Sequence, residues 1–232
     1  MSYTVSYIKY FSVFICFLAL SESAYTQTAK WDSTFRPPAY SNKVEQFKSY
    51  PNSGKDIIFL GNSITANTDW SELLGIRHLK NRGISGDITY GVLERLDEVI
   101  EGKPKKVFIL IGINDISRNI PDELILNNYK LMISRIKNGS PKTKIIVQTL
   151  LPTNNTFDKF KNHYNKEAHV LWLNTELTKL AVSEKVTLID LYPHFLDSDK
   201  RLDKRYTIDG LHLNVEGYAR WKEILMQGKY LK

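Results

Sequence analysis

Four short segments of the chain carry residue types that could do nucleophilic chemistry together. In Asp56-Ile57-Ile58-Phe59-Leu60-Gly61-Asn62-Ser63-Ile64-Thr65 an apolar run meets a glycine and then, two residues on, a serine. A serine hydroxyl is a poor nucleophile at neutral pH and needs a base within hydrogen-bond reach. Read alone, Ser63 is more readily a turn serine that caps a helix. In Thr207-Ile208-Asp209-Gly210-Leu211-His212-Leu213-Asn214 an aspartate stands three residues before a histidine. On a short turn that carboxylate could bond the ring at Nδ1 and present Nε2 to Ser63. The ordinary alternative is a surface histidine near the start of a helix.

Two further segments could stabilise a negative charge. Asn81-Arg82-Gly83-Ile84-Ser85-Gly86-Asp87 is glycine-rich, which lets backbone pass close to a ligand, and an exposed Gly86 amide could donate to an oxyanion. Such a loop also simply turns a chain. Gly112-Ile113-Asn114-Asp115 offers a carboxamide, a neutral donor able to hold a developing oxyanion without adding a titrating group. The plain reading is a turn-forming Asn114 with Asp115 as a cap.

Competing residues fit less well. Ser85 also follows a glycine by two positions, but Asp87 stands where a nucleophile elbow would have glycine. His194 has Asp190 four residues earlier with Pro193 between, which reads as a structural turn at a strand end. His78, His163 and His169 fall in expected helical or connecting segments, so surface or packing roles are expected of them. The sequence contains no His-Glu-x-x-His, no paired cysteines and no Gly-Lys-Ser/Thr phosphate cradle, and neither a catalytic metal nor a cofactor is expected.

The elements needed to position these groups are legible as an alternation of apolar runs and longer helical patterns. The runs are Asp56 to Leu60, a weaker one near Leu79, Lys106 to Ile111, Ile145 to Leu151 and Val186 to Leu191. Continuous apolar runs of this length suit strands covered on both faces. Between them, Leu93, Leu96, Val99 and Ile100 mark one helix face, and Ile125, Tyr129, Met132 and Ile136 mark another that starts at Pro121-Asp122. A third helical pattern runs from about Asn162 to Ser183, and a last helix from about Val215 to Gln227. That order predicts one α/β domain built on an open parallel sheet with helices on both faces. The chemistry-bearing segments lie at strand carboxyl ends or before the last helix, and a doubly wound sheet can gather them into one crevice.

These four blocks, in this order and across roughly Asp56 to Leu225, resemble the SGNH hydrolases, also called the GDSL lipases and esterases. The resemblance implies a three-layer α/β/α, flavodoxin-like fold with a five-stranded, mainly parallel sheet. It implies Ser63 as nucleophile, His212 as general base and acid, and Asp209 as the carboxylate that orients the ring. It further implies an oxyanion hole made of the Ser63 amide, the Gly86 amide and the Asn114 side chain. Asn62 departs from the family, which often has Asp before the serine; this position is outside the triad, and the change bears on local hydrogen bonding. The forms Gly-Asn-Ser-Ile-Thr and Asn-Arg-Gly-Ile-Ser-Gly-Asp look like those of exported bacterial members that deacetylate glycans, sialate O-acetylesterases included. The expected substrate is therefore a small-molecule or glycan ester. A lysophospholipase or acyl-thioester hydrolase, and a glycan-binding protein that has lost catalysis, are the alternatives.

The ends and the overall charge set the remaining expectations. Lys9, the largely apolar run Phe11 to Leu20, and the small residues Ser21, Ser23 and Ala24 have the layout of a secretory signal. The expected division is a signal peptide over 1–24, an N-terminal arm over 25–55 and the hydrolase domain over 56–232. The protein is then exported to the periplasm or the exterior, with no stable membrane insertion after cleavage. An uncleaved anchor is the alternative. Cys16 is the single cysteine of the chain and lies within that signal, so the mature protein should hold no disulfide. The arm is polar, irregular and proline-containing, and carries no obvious chemistry. A net charge of +7 over 232 residues, without a basic block interleaved with aromatics, does not point to nucleic acid.

Overall fold

The computed structural model describes Met1 and residues 30–232; the expected signal segment and Cys16 lie outside the described residues. In chain order the elements are α1 (Tyr40–Ser49), β1 (Ile57–Gly61), α2 (Ser63–Ala66), α3 (Trp70–Leu74), β2 (Leu79–Gly83), α4 (Thr89–Glu94) and α5 (Leu96–Glu101). There follow β3 (Lys106–Leu110), α6 (Ile113–Ser117), α7 (Asp122–Gly139), β4 (Lys144–Gln148), α8 (Glu167–Ser183), β5 (Thr187–Ile189) and α9 (Val215–Gln227). The five strands form one sheet in the order β2-β1-β3-β4-β5, and every neighbouring pair is parallel. This is the α/β architecture expected from the alternating pattern.

The central strands explain the apolar runs. All of β1 and β3 is buried, because helices cover both faces of the sheet. On one face Phe59 stacks between Trp70 of α3, at 4.0 Å between ring centroids, and Phe108 of β3, at 4.6 Å. Trp221 of α9 packs edge-on against Trp70, and its indole N–H donates to the buried Gln148 Oε1 at 2.9 Å. On the other face α4, α5, α7 and α8 contact one another and bury Val92, Val99, Tyr129, Met132 and Leu173.

Three sequence expectations need correction. Part of the supposedly irregular arm is a helix: in α1, Tyr40, Val44 and Phe47 fall at i, i+4 and i+7 and bury one face. Phe47 lies under the Arg82 guanidinium, 4.7 Å from ring centroid to Cζ. Second, the helical pattern around Leu93 to Ile100 is two short helices that meet at Arg95. Arg95 is drawn inward, where Nε donates to Asp87 Oδ2 at 3.0 Å and Nη2 to the carbonyls of Gly61 and Arg82. Third, the pattern placed at Asn162 begins as a helix only at Glu167. Before it, Lys161–His163 form a 3-10 turn, and Asn165 takes a positive φ of 57°, which stops a helix from running through.

Arg95 and its neighbours form a buried ionic cluster beneath the site. Arg95 pairs with Asp87 and Arg82 with Glu98, both at 3.0 Å and with side chains no more than 2% exposed. Such a pair adds little net stability over apolar packing, but losing one partner leaves a buried charge uncompensated. Here the cluster ties the ends of β1 and β2 together where the chemistry-bearing loops begin.

Candidate active site

The strand order reverses at β1, with β2 on one side and β3 on the other, the point at which open α/β sheets form a ligand crevice. Ser63 sits there as the first residue of α2. Two residues before it, Gly61 has no room for a side chain: a Cβ would lie 2.3 Å from both Leu110 O and Thr65 Oγ1. Asn62 caps α2, its Oδ1 accepting from the Ile64 amide at 3.0 Å, while its buried Nδ2 finds no partner. This is the local consequence of carrying Asn at this position.

His212 Nε2 lies 2.9 Å from Ser63 Oγ, and His212 Nδ1 lies 2.9 Å from Asp209 Oδ2. The turn that carries the last two is closed by an antiparallel bridge between Thr207 and Leu213. Within it the Thr207 hydroxyl accepts from the amides of Asp209 and Gly210 and donates to the His212 carbonyl. Asp209 Oδ1 accepts from the amides of Leu211 and His212, so the carboxylate is held independently of the imidazole. Gly210 makes the turn possible with a φ of +79°, and a Cβ there would meet Asn154 O at 2.5 Å. Burial pushes the Asp209 carboxyl up, but the bonds from His212 outweigh it and hold the group below its ordinary value. Asp209 is therefore ionised and can stabilise an imidazolium.

The remaining two predicted groups face the same space. Ser63, Gly86, Asn114, Asp209 and His212 all line one cavity of about 600 Å³. Gly86 adopts a φ of +82°, a left-handed conformation that glycine takes without strain. Within the described residues no hydrogen bond engages the Ser63 or Gly86 amide, and both can donate to a ligand. One Asn114 Nδ2–H donates to the Asp87 carbonyl at 2.9 Å, which leaves its second N–H free.

The other histidines lie away from this constellation, with one exception, and Ser85 lies beside it without joining the hydrogen-bonded line. Ser85 lines the cavity, but His212 Nε2 engages Ser63. Asp190 does not face His194; it accepts from the Thr149 hydroxyl, and His194 contacts Arg220. His169 pairs with Asp122 on the surface, and an exposed His78 lies 3.9 Å from Asp56. The exception is His163, expected to be a surface or packing residue. It lines the cavity with Nε2 3.0 Å from Asn114 Oδ1. Burial, helped by His212 and Arg118 nearby, pushes its pKa down to about 4. The clustered Asn154, Asn155, Asn162 and Asn165 were the sign in the sequence that this stretch is loop, but nothing local says that the loop crosses over Asn114.

The arm supplies no reacting group among these, but it shapes the cavity. Phe35, Pro37 and Pro38 form one wall of the cavity, and Pro37 packs against Gly86. Arg36 anchors that wall through Glu94 and the Tyr90 carbonyl, and the Tyr40 hydroxyl donates to Gly91 O at 2.7 Å. Phe160, Ile208 and Leu211 line the cavity as well, with the cations Arg118 and Lys159. A larger groove of about 780 Å³ between α1 and β2 contains none of the triad residues. Among the described residues no group of three or more His, Cys, Asp or Glu side chains is placed to hold a metal ion.

An α/β crevice with a serine, an imidazole and a carboxylate in one hydrogen-bonded line is the arrangement of a serine hydrolase. The GDSL-like lipase/acylhydrolase family matches residues 59–220, and the chain belongs to that family: it is a GDSL-type acylhydrolase. It is 31% identical to the platelet-activating factor acetylhydrolase IB subunit alpha2 of Rattus norvegicus over 182 residues, 74% of this chain and 76% of that one. Among solved structures, it superposes on a Streptococcus pneumonia protein provisionally described as a platelet activating factor, with TM-score 0.76, 29% identity and coverage of 83% and 92%. A GDSL-like lipase from Bacteroides thetaiotaomicron gives TM-score 0.71 and 25% identity, covering 82% and 96%.

Proposed function

We propose that the protein is an exported serine esterase that removes acetyl groups from carbohydrates, O-acetylated sialic acids among them. The observation that carries the hydrolytic mechanism is the unbroken line Ser63 Oγ, His212, Asp209 with both links at 2.9 Å. In the proposed reaction Ser63 Oγ attacks the ester carbonyl while His212 Nε2 takes the hydroxyl proton, and Asp209 stabilises the resulting imidazolium. The tetrahedral oxyanion is held by the Ser63 and Gly86 amides and the free N–H of Asn114. His212 then protonates the leaving alcohol oxygen as the carbonyl re-forms, giving an acyl-Ser63 intermediate. Water, deprotonated by His212, attacks that intermediate, and His212 returns the proton to Ser63 Oγ as the acyl–oxygen bond breaks and the acid leaves.

Two features support a short acyl group on a polar carrier. Curated relatives bear the name acetylhydrolase. The cavity wall combines apolar surface from Phe35, Phe160, Ile208 and Leu211 with Arg118, Lys159, Ser85 and Ser117, a lining suited to an anionic or hydroxylated carrier. Export rests on the pattern of Lys9, Phe11 to Leu20 and Ala24.

The test is acetate release by purified protein from acetylated glycans, O-acetylated sialic acids and platelet-activating factor, alongside para-nitrophenyl esters from acetyl to octanoyl. Turnover of acetylated sugars with a sharp fall from acetyl to octanoyl is expected. Preference for octanoyl overturns the acetylesterase reading, and exclusive turnover of platelet-activating factor overturns the sugar. Fractionation of expressing cells checks the location.

A further inference from the structure

We propose that His163 is a positioning residue for the oxyanion hole: its Nε2–H fixes the Asn114 carboxamide so that the one uncommitted N–H points to the reacting carbonyl. This inference rests on the esterase reading above and concerns how one of its donors is held.

A carboxamide has an acceptor oxygen and two N–H donors, and exchanging the two ends by rotation costs little unless neighbours distinguish them. Here both ends are read. Asn114 Nδ2 donates to Asp87 O at 2.9 Å, and Asn114 Oδ1 stands 3.0 Å from His163 Nε2. In the exchanged orientation Oδ1 would oppose the Asp87 carbonyl, acceptor against acceptor. The oxygen end needs a donor, and His163 is the side chain placed to supply one. Its other nitrogen, Nδ1, is buried with no partner. A proton on Nδ1 would be stranded and the Nε2 lone pair would face Oδ1, whereas a proton on Nε2 meets an acceptor, so the environment selects the Nε2–H tautomer. A hydrogen bond into the amide oxygen also polarises the amide and strengthens its remaining N–H as a donor.

The segment that carries His163 reaches the other half of the site as well. Phe160 sets its ring nearly perpendicular to both imidazoles, 5.8 Å from His163 and 4.9 Å from His212. The Tyr164 hydroxyl donates to the Asp209 carbonyl at 2.5 Å. Residues 160–164 thus brace the oxyanion donor and the triad turn together, with His163 as the member aimed at the donor.

The experiment compares His163→Leu, which removes the N–H, with His163→Gln, which restores one, in the wild-type and Asn114→Ala backgrounds, using the full chain and para-nitrophenyl acetate. His163→Leu should lower kcat by about ten- to a hundredfold, less than loss of the donor itself, with KM within about twofold. His163→Gln should recover most of that loss. In the Asn114→Ala background, His163→Leu should change kcat by less than about threefold, because the two act as a unit. An unaffected His163→Leu, a His163→Gln as impaired as His163→Leu, or an undiminished effect without Asn114 each overturns the proposal. A readout independent of turnover is the Asn114 side-chain amide pair in ¹⁵N-labelled protein, identified by its absence in Asn114→Ala. It should shift in His163→Leu and stay near its wild-type position in His163→Gln; an unmoved pair in His163→Leu overturns the proposal. Absence of esterase turnover in the wild type would refute the esterase reading, while the amide signals still test the contact.

Discussion

The two halves of the site are built differently. Ser63, Gly86 and Asn114 each follow a strand, and the parallel register pairs Gly61 with both Gly83 and Leu110, so the three strand ends are level and the residues after them arrive together. Asp209 and His212 lie on a turn that belongs to no strand of the sheet; Thr207, the carboxylate's own bonds and Tyr164 hold it. A group carried by a sheet inherits its position from a ladder that exists for the core. A group carried by a loop needs hydrogen bonds dedicated to it, and removing one should cost position and stability together.

Substitutions on the two halves should separate accordingly. The largest effect is expected from Ser63→Ala, which deletes the proposed nucleophile and touches neither support: ester hydrolysis should fall by about 10⁴-fold or more, with the melting temperature unchanged. Asn114→Ala comes next, lowering kcat by about a hundred- to a thousandfold with little change in KM. Its thermal unfolding should stay near that of the wild type; a matched loss of stability would show that the strand-borne half is as dependent on local bonds as the other.

Thr207→Val tests the loop half. It removes a hydroxyl that serves three backbone groups, which should destabilise the fold by about 2 kcal/mol and lower the melting temperature by about 4–8 °C. Activity should fall by about tenfold as the imidazole loses its alignment. Lost activity with unchanged melting would erase the distinction drawn here.

The smallest effect sharpens how the sheet half is braced. Asp115, next to Asn114, is fully buried and receives the Thr89 amide at the start of α4, together with the Thr89 hydroxyl. Burial outweighs the bonds from Thr89 and pushes its pKa up from 3.8 to about 7. The folded protein therefore keeps a proton there that the unfolded chain has released, and the associated stability is present below about pH 4 and lost as pH rises through about 7. Asp115→Asn cannot titrate. The melting temperature of the wild type minus that of the variant should fall between pH 4 and 8, and a constant difference would place Asp115 among ordinary ionised carboxylates.

Much of this is legible in the amino-acid sequence. Apolar runs covered on both faces identify β1, β3 and β4 with little ambiguity, and Pro121-Asp122 marks the start of α7. The five residues that meet at the cavity stand out because each has a type with chemistry and a place at a strand end or a tight turn. His163 did not stand out, since its partner Asn114 is 49 residues away and its own stretch mimics the start of α8. The helix α1 was hidden because three apolar residues among polar neighbours give a weak period, and the wall formed by Phe35, Pro37 and Pro38 has no local signature at all.

By itself the sequence determined the alternation of strands with the main helices, and with it an open parallel sheet able to gather Ser63, Gly86 and Asn114; these follow from periodicity and glycine placement, which are properties of neighbours in the chain. Only the tertiary structure decided what stands behind each reacting group: the arm folded back against Gly86, the Arg95 cluster under the strand ends, and His163 set against Asn114. Those contacts join residues far apart in the chain, and their distances are set by how whole layers pack rather than by any spacing that a single segment carries.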